Sequence, residues 1–320
     1  MDMNLEYCLK AKPRNRMAVG LCCYNFGNLF CKKNYDEQAV AYYFNAEKMG
    51  RQYLPEHNLL FSQLYASIGG VYGGARGDFI IARSYLEKAL EVELNRVKLN
   101  SQPNSSTLGH IYFEFGRNDY KLGNFNESLT YYEKSLIILQ RNLPPTHIDL
   151  FHLLSYIAIT HGCLHNHTTA LKYYKQALDI LYYQESECLT KELISTTYDN
   201  IGTVYLKNDS YREAISYFEK ALSTKLEIMT SESLALIPTY SNLGVAYSSL
   251  SNFTAALDYF HRTLNIGKAA LPKYHEDLAH IYNNLSDRYI KTGEYGKALE
   301  YAKLSLEIRQ NCMPSDQSIA

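Results

Sequence analysis

The chain has 320 residues, 46% of them hydrophobic, with 32 basic and 33 acidic side chains and a formal net charge of −1. That hydrophobic content is enough to bury a core, and the balanced charge gives no global field that would favour nucleic acid or an anionic membrane. Tyrosine is the outlier, with 30 residues against 12 Phe and no Trp, and it suits thin layers because its ring packs inward while its hydroxyl reaches water.

In chain order, residues 1–19 read as an N-terminal segment with room for a partial helix. It holds Lys10-Ala-Lys-Pro13-Arg-Asn-Arg16 and lacks the basic-then-apolar order of a signal peptide. Residues 20–310 repeat one phrase. The clearest copy is Tyr198-Asp-Asn-Ile-Gly-Thr-Val-Tyr205 followed by Tyr211-Arg-Glu-Ala-Ile-Ser-Tyr-Phe-Glu-Lys-Ala221. It returns as Tyr240-Ser-Asn-Leu-Gly-Val-Ala-Tyr247 and as Tyr282-Asn-Asn-Leu-Ser-Asp-Arg-Tyr289, each with its own second half. Looser copies run through Phe26-Gly27, Ile68-Gly69, Phe115-Gly116 and Ile157-Ala158. A small residue opens each second half: Ala39, Ala82, Ser128, Ala170, Ala214, Ala256 and Ala298, spaced by 43, 46, 42, 44, 42 and 42 residues. Residues 98–107 are the best loop candidate and lengthen the second spacing. Residues 311–320 read as a flexible tail, since Pro314 discourages another helix.

The phrase predicts paired helices. Aromatic, Leu-Gly and Tyr at helical spacing place one apolar stripe on the first helix. The Gly and the small residue of the second half sit where two helices approach closely. Asn208-Asp-Ser210, Ser251-Asn252 and Thr292-Gly293 break the chain and head the next helix. Each pair exposes apolar surface that only a neighbour covers, so pairs stack.

Chemistry-bearing clusters are few. In His161-Gly-Cys163-Leu-His165-Asn-His167, His161 and His165 share a face if helical. The three His occupy slots that hold Tyr, Gly and an aromatic in other copies, so repeat packing accounts for them better than a metal site, and no metal or cofactor is predicted. The glycine run 69–77 lacks the Gly-Lys-Ser/Thr of a phosphate loop. No nucleophile elbow or HExxH motif occurs, and catalysis is not predicted. The seven Cys are scattered and odd in number, which predicts reduced thiols and a cytoplasmic setting. No apolar run is long enough to span a membrane.

The phrase resembles the tetratricopeptide repeat, whose signature is aromatic-x₂-Leu-Gly-x₂-Tyr, then Ala-x₃-Phe-x₂-Ala. The long period, together with the linkers Leu143-Pro-Pro-Thr-His147-Ile-Asp149-Leu150 and Leu271-Pro-Lys-Tyr-His275-Glu-Asp277-Leu278, is similar to the repeats of kinesin light chains, although the coiled coil that joins those chains to the motor is absent. The resemblance implies an all-α solenoid, a right-handed superhelix of about seven helix-turn-helix repeats. It also implies that the first helices line an inner groove in which Asn side chains clamp a bound peptide backbone. Asn fits because its amide both donates and accepts. The residues standing there are Asn25, Asn200, Asn242 and Asn284, with Asn283 adjacent. Lys32, Lys121, Lys207 and Lys291 recur in alternate repeats and, with Arg117, would attract acidic segments.

The function expected from this reading is a scaffold or adaptor that binds protein segments in the concave groove. The alternative is a regulatory repeat region of a larger multidomain enzyme or signalling protein. Leu299, Ala302, Leu304, Leu306 and Ile308 fall on more than one face of the final helix, so the C-terminal face is expected to be sticky and to self-associate or meet a partner.

Overall fold

The computed structural model describes residues 13–74, 76–100, 105–184 and 188–312. It contains fourteen α-helices and one short 3₁₀ turn, Leu234–Leu236, with no strand among the described residues. The first helices of the repeats are α1 (Pro13–Lys32), α3 (Leu59–Gly74), α5 (Ser106–Lys121), α7 (Ile148–Cys163), α9 (Cys188–Lys207), α11 (Ile237–Ser249) and α13 (Glu276–Lys291). The second helices are α2 (Asp36–Tyr53), α4 (Phe79–Asn100), α6 (Phe125–Asn142), α8 (His167–Tyr182), α10 (Tyr211–Leu226), α12 (Phe253–Ala270) and α14 (Tyr295–Cys312).

Several boundaries differ from the sequence reading. Helix α1 reaches back to Pro13, and residues 1–12 lie outside the described residues. The loop expected over 98–107 is helical at both ends, in α4 and α5, while 101–104 lie outside the described residues. Helix α14 continues to Cys312, and the remaining tail also lies outside them. His165 lies in a turn with φ 59°, so it does not share a helix face with His161.

The chain divides into two compact units, Met1–His165 and Asn166–Ala320. In the first, α1/α2, α3/α4 and α5/α6 form hairpins, each second helix lies on the next first helix, and α1, α3, α5 and α7 are side by side. In the second, α9/α10, α11/α12 and α13/α14 form the hairpins, α8 lies on α9, and α9 neighbours α11. Aligned first helices turn one face of each unit into a wall built from a single repeat position after another.

Local chemistry repeats with the register. Every hairpin turn carries one residue at positive φ, five positions before the small residue: Asn34, Gly77, Gly123, His165, Asp209, Ser251 and Gly293. Three are Gly, for which this conformation costs little; the others hold it because the closing backbone bonds demand it. First helices are capped by a side chain two residues before the bonded N–H. Asn58, Ser105 and Ser233 do this for α3, α5 and the 3₁₀ turn. His147 and His275 do it through Nδ1, which accepts from the Asp149 and Asp277 N–H groups at 3.2 Å. The His-x-Asp linker is thus a helix cap. Asn252 caps α12 in the expected way, whereas Ser210 heads α10 without a side-chain cap bond.

Four of the register glycines lie under a ring from the partner helix, while Gly69 lies under Leu86. A Cβ at Gly27, Gly116, Gly202 or Gly244 would come 2.5, 2.4, 2.6 and 2.8 Å from Tyr43, Tyr132, Phe218 and Phe260. These rings are fully buried, so the signature's Gly and its Phe position are one packing unit. The tyrosine excess has a second use. Tyr85, Tyr217, Tyr259 and Tyr301 of the second helices each lie between two tyrosines of the preceding first helix: 65 and 72, 198 and 205, 240 and 247, 282 and 289. Centroids 5.5–6.2 Å apart place these rings in the favourable range for aromatic pairs.

Candidate functional site

In the first unit the wall of first helices is hollowed into a groove of about 820 Å3. Lys32 of α1, Gly74 of α3 and Lys121 of α5 occupy the same repeat position at one end of it, and all three line it. Two lysines therefore flank a stretch of bare helix. Deeper in, Tyr24, Asn28, Ser67, His110 and Tyr156 add hydroxyl, amide and imidazole edges. The Tyr43 hydroxyl donates to Asn28 Oδ1 at 2.8 Å.

Arg117, expected to contribute positive charge, is already matched. Its Nη1 donates to both Glu114 carboxylate oxygens, at 2.9 and 3.1 Å, and the Glu114 charge raises the guanidinium's affinity for its proton. The head also lies 5.8 and 5.6 Å from the centroids of Phe113 and Tyr156, within cation–π range. The glycines make room for this pair, since a Cβ at Gly70 would lie 3.1 Å from Glu114 Oε2 and one at Gly74 3.4 Å from Arg117 Nη2. Residues 69–74 of the glycine run are therefore packed helix, and Gly77 follows in the hairpin turn at positive φ. Lys32 and Lys121 bring the remaining positive charge to this groove, and Asp36 of its lining offsets one of them. Cys31 also lines it; burial first, then Asp36 and Glu114, push its thiol up, the opposite of an activated nucleophile.

The remaining candidates are distributed by register. Asn25 is exposed on α1 but does not line this groove. In the second unit Asn200, Asn242 and Asn284 stand half-buried at equivalent positions of α9, α11 and α13, with Asn283, Lys207 and Lys291 exposed. Among the described residues none of these asparagine side chains is engaged in a hydrogen bond, which leaves their amides open. Their neighbour Asp199 is not open: it takes Lys225 Nζ at 2.7 Å and Thr239 Oγ1 at 2.9 Å, knitting α9, α10 and α11 together. Sequence reading missed Glu114 as a groove residue, although Glu114-x-x-Arg117 is a helical ion-pair spacing. No group of three or more His, Cys, Asp or Glu among the described residues is arranged to hold a metal ion.

The chain belongs to the tetratricopeptide-repeat family: the family profile matches residues 106–182, 193–269 and 235–311, more than half of the chain. No curated protein matches the sequence significantly. Solved structures share the fold at low identity. The apo form of RapI is 15% identical with a TM-score of 0.74, over 92% of this chain and 78% of that one. A putative kinesin light chain with nearly identical TPR-like repeats from Podosopora anserina is 16% identical with a TM-score of 0.55, over 64% and 96%. A signal transduction ATPase with numerous domains and a tetratricopeptide repeat sensor, from Pyrococcus horikoshii, is 18% identical with a TM-score of 0.71; the match spans 93% of this chain and 43% of that protein.

Proposed function

We propose that the chain is an adaptor that holds segments of other proteins along its first helices, acidic segments above all, in the manner of the cargo-binding repeats of kinesin light chains. The observation that carries this reading is the groove of the first unit, where Lys32 and Lys121 flank exposed Gly74 of α3 beside the Glu114–Arg117 pair. The two ammonium groups favour carboxylates there. The open amides of Asn25, Asn200, Asn242, Asn283 and Asn284 suit peptide backbone, and Lys207 and Lys291 add charge beside them. No helix among the described residues is long and apolar enough to cross a membrane. Cys22, Cys31, Cys163 and Cys188 are free thiols, which supports a cytoplasmic site of action. The exposed face of α14 supports self-association.

Binding of labelled acidic, neutral and basic peptides tests the proposal. Asn200, Asn242 and Asn284 each replaced by Ala should weaken a captured peptide by about 0.5–1.5 kcal/mol, and Lys32→Glu with Lys121→Glu should abolish the preference for acidic sequences. Equal binding of all three peptide classes, or unchanged affinity in both variants, moves the site off the first helices. A second reading, a regulatory repeat region of a larger signalling protein, is favoured by the fold shared with the ATPase's repeat-bearing structure; co-purification of this chain with a covalently continuous catalytic domain would establish it.

A further inference from the structure

The two ends of the repeat array expose the two halves of the contact that every interior junction buries. In the first helices, three positions face the preceding pair. In α13 the first of them is Ile281, which packs on the α12 backbone at Gly267; in α11 it is Thr239, which accepts from Lys225 of α10. Across α3, α5 and α7 the same three positions are Leu64, Ile68 and Val71; Ile111, Phe115 and Asn118; Leu153, Ile157 and Thr160, all buried. In α1 they are Cys22, Phe26 and Leu29. Cys22 is exposed, and Phe26 and Leu29 are each 49% exposed.

The second helices show the complementary face. The residue after the small one, and those eight and eleven beyond the small one, point at the next first helix: Arg83 reaches Asp119 of α5, and Lys225 reaches Thr239 of α11. Val40 and Ile215 are buried at the first of these positions, Leu178 and Leu264 at the second. In α14 they are Leu299, 57% exposed, and Leu306, 56% exposed, followed by exposed Arg309.

We propose that the exposed face of α14 docks on the exposed face of α1 of a second copy, so that copies associate head to tail through the contact already used inside the array. This deepens the self-association reading above by naming the surface that α14 meets. The argument is one of register: α1 carries apolar residues at i, i+4 and i+7, and α14 carries them at i and i+7 with Arg309 at i+10, positions whose interior equivalents are each other's partners. Such a contact is heterologous, so it adds copies in a row, closing into a ring only where the rotation allows. Burying Phe26, Leu29, Leu299 and Leu306 supplies the apolar area that drives it.

The test is sedimentation velocity of the full chain over a dilution series, with Phe26→Glu and Leu306→Glu as variants and Leu29→Lys and Leu299→Lys as a second pair. All four sites are about half exposed, and circular dichroism melts check that each variant folds. The parent should form a concentration-dependent ladder of species larger than a dimer. Each variant alone should be monomeric, because one of the two faces is destroyed on every copy. An equimolar mixture of Phe26→Glu and Leu306→Glu should restore association but stop at the dimer, since one intact α14 meets one intact α1. If Phe26→Glu still dimerises while Leu306→Glu does not, α14 pairs with itself: head-to-tail docking is overturned and self-association stands. A parent that is monomeric at every concentration overturns both, and a mixture that stays monomeric overturns the head-to-tail contact.

Discussion

The position eleven residues beyond the small residue of the second helix carries opposite charges in the two units. In α4 of the first unit it is Glu93 and in α10 of the second it is Lys225, and both are buried. Glu93 finds its counter-charge on its own helix: Arg96 Nη2 donates to Oε1 at 2.6 Å and Nε to Oε2 at 3.0 Å, and the Ser62 hydroxyl adds a bond at 2.9 Å. Lys225 spends its three protons on three other elements, the Asp199 carboxylate, the Thr239 hydroxyl and the Ala235 carbonyl at 3.1 Å. One junction carries an ion pair made within a single helix, with a hydroxyl from its hairpin partner; the other is tied together by its pair. The repeat register fixes where a side chain points, and its counter-ion decides whether that side chain couples helices.

The largest effect should fall on the coupled junction. Lys225→Ala strands Asp199, whose Oδ1 already lacks a partner among the described residues, and loss of one member of a buried pair costs about 3–5 kcal/mol. Arg96→Ala should cost less, because two serine hydroxyls still serve Glu93. Asp199→Leu combined with Lys225→Met should recover most of the loss, since well-packed apolar replacements of a buried pair are often neutral. Denaturant titration of the four proteins decides it. Equal losses for Lys225→Ala and Arg96→Ala would erase the distinction between the two junctions.

Packing, by contrast, should be indifferent to the unit. Gly116 and Gly202 have rings at nearly the same virtual Cβ distance, 2.4 and 2.6 Å. Valine at either position overpacks the contact, at a cost of about 1–3 kcal/mol. Matching drops in melting temperature would show that the glycine–ring unit is common to both regions; a drop confined to one would mean that the other relaxes around the new methyl groups.

Acid titration should separate the two carboxylates by sign. Burial alone would push Glu93 up, but Arg96, Ser105 and Ser62 together outweigh it and hold it below its ordinary value. Its contribution to stability is therefore complete above the unfolded value, about pH 4.3, and is lost as pH falls through the lower folded value. Burial pushes Asp199 up, and Lys225 and Thr239 offset only part of that. Its contribution is complete below the unfolded value and is lost as pH rises through the raised folded one. Thermal melts on acidification should show the parent's advantage over Glu93→Gln shrinking and its advantage over Asp199→Asn growing. The same direction for both would refute the contrast.

These contrasts also show what the sequence makes legible. The phrase from Tyr198 to Tyr205 and its relatives spell out helix pairs because an apolar stripe, a glycine and a small residue recur at fixed spacing, and the helices follow. The turns were partly legible: only three of the seven positive-φ residues are Gly, and although Ser251 stands in a break read from the sequence, nothing local marks His165. The charge pattern was less so. Arg117 reads as a free groove cation until Glu114 is seen beside it, and Asp199 looks like any polar neighbour of Asn200 until Lys225 arrives from 26 residues away. Such pairings depend on tertiary register, which a single sequence does not display.

The smallest effect concerns an amide that one unit carries and the other does without. Asn118 is 3% exposed, and neither its Oδ1 nor its Nδ2 has a hydrogen-bond partner among the described residues. It faces Gly73 across a void of about 10 Å3, room for at most one water. The same position is held by Val204 in α9, Ala246 in α11 and Arg288 in α13, and by Val71 in α3. An unsatisfied buried amide costs roughly 1–3 kcal/mol, and replacing it by an apolar group of similar shape removes that cost. Asn118→Val should therefore stabilise the protein, by about 1 kcal/mol once the smaller side chain's looser fit is counted. Gly73→Ala should not rescue the site, because its Cβ would come 3.0 Å from Asn118 Oδ1 and 3.2 Å from Ala82 Cβ. A higher melting temperature for Asn118→Val, with a lower one for Gly73→Ala, would identify the amide as an uncompensated cost of the first unit. A lower one for Asn118→Val would mean that a water in the void bonds the amide well enough to make it part of the α3–α5 contact.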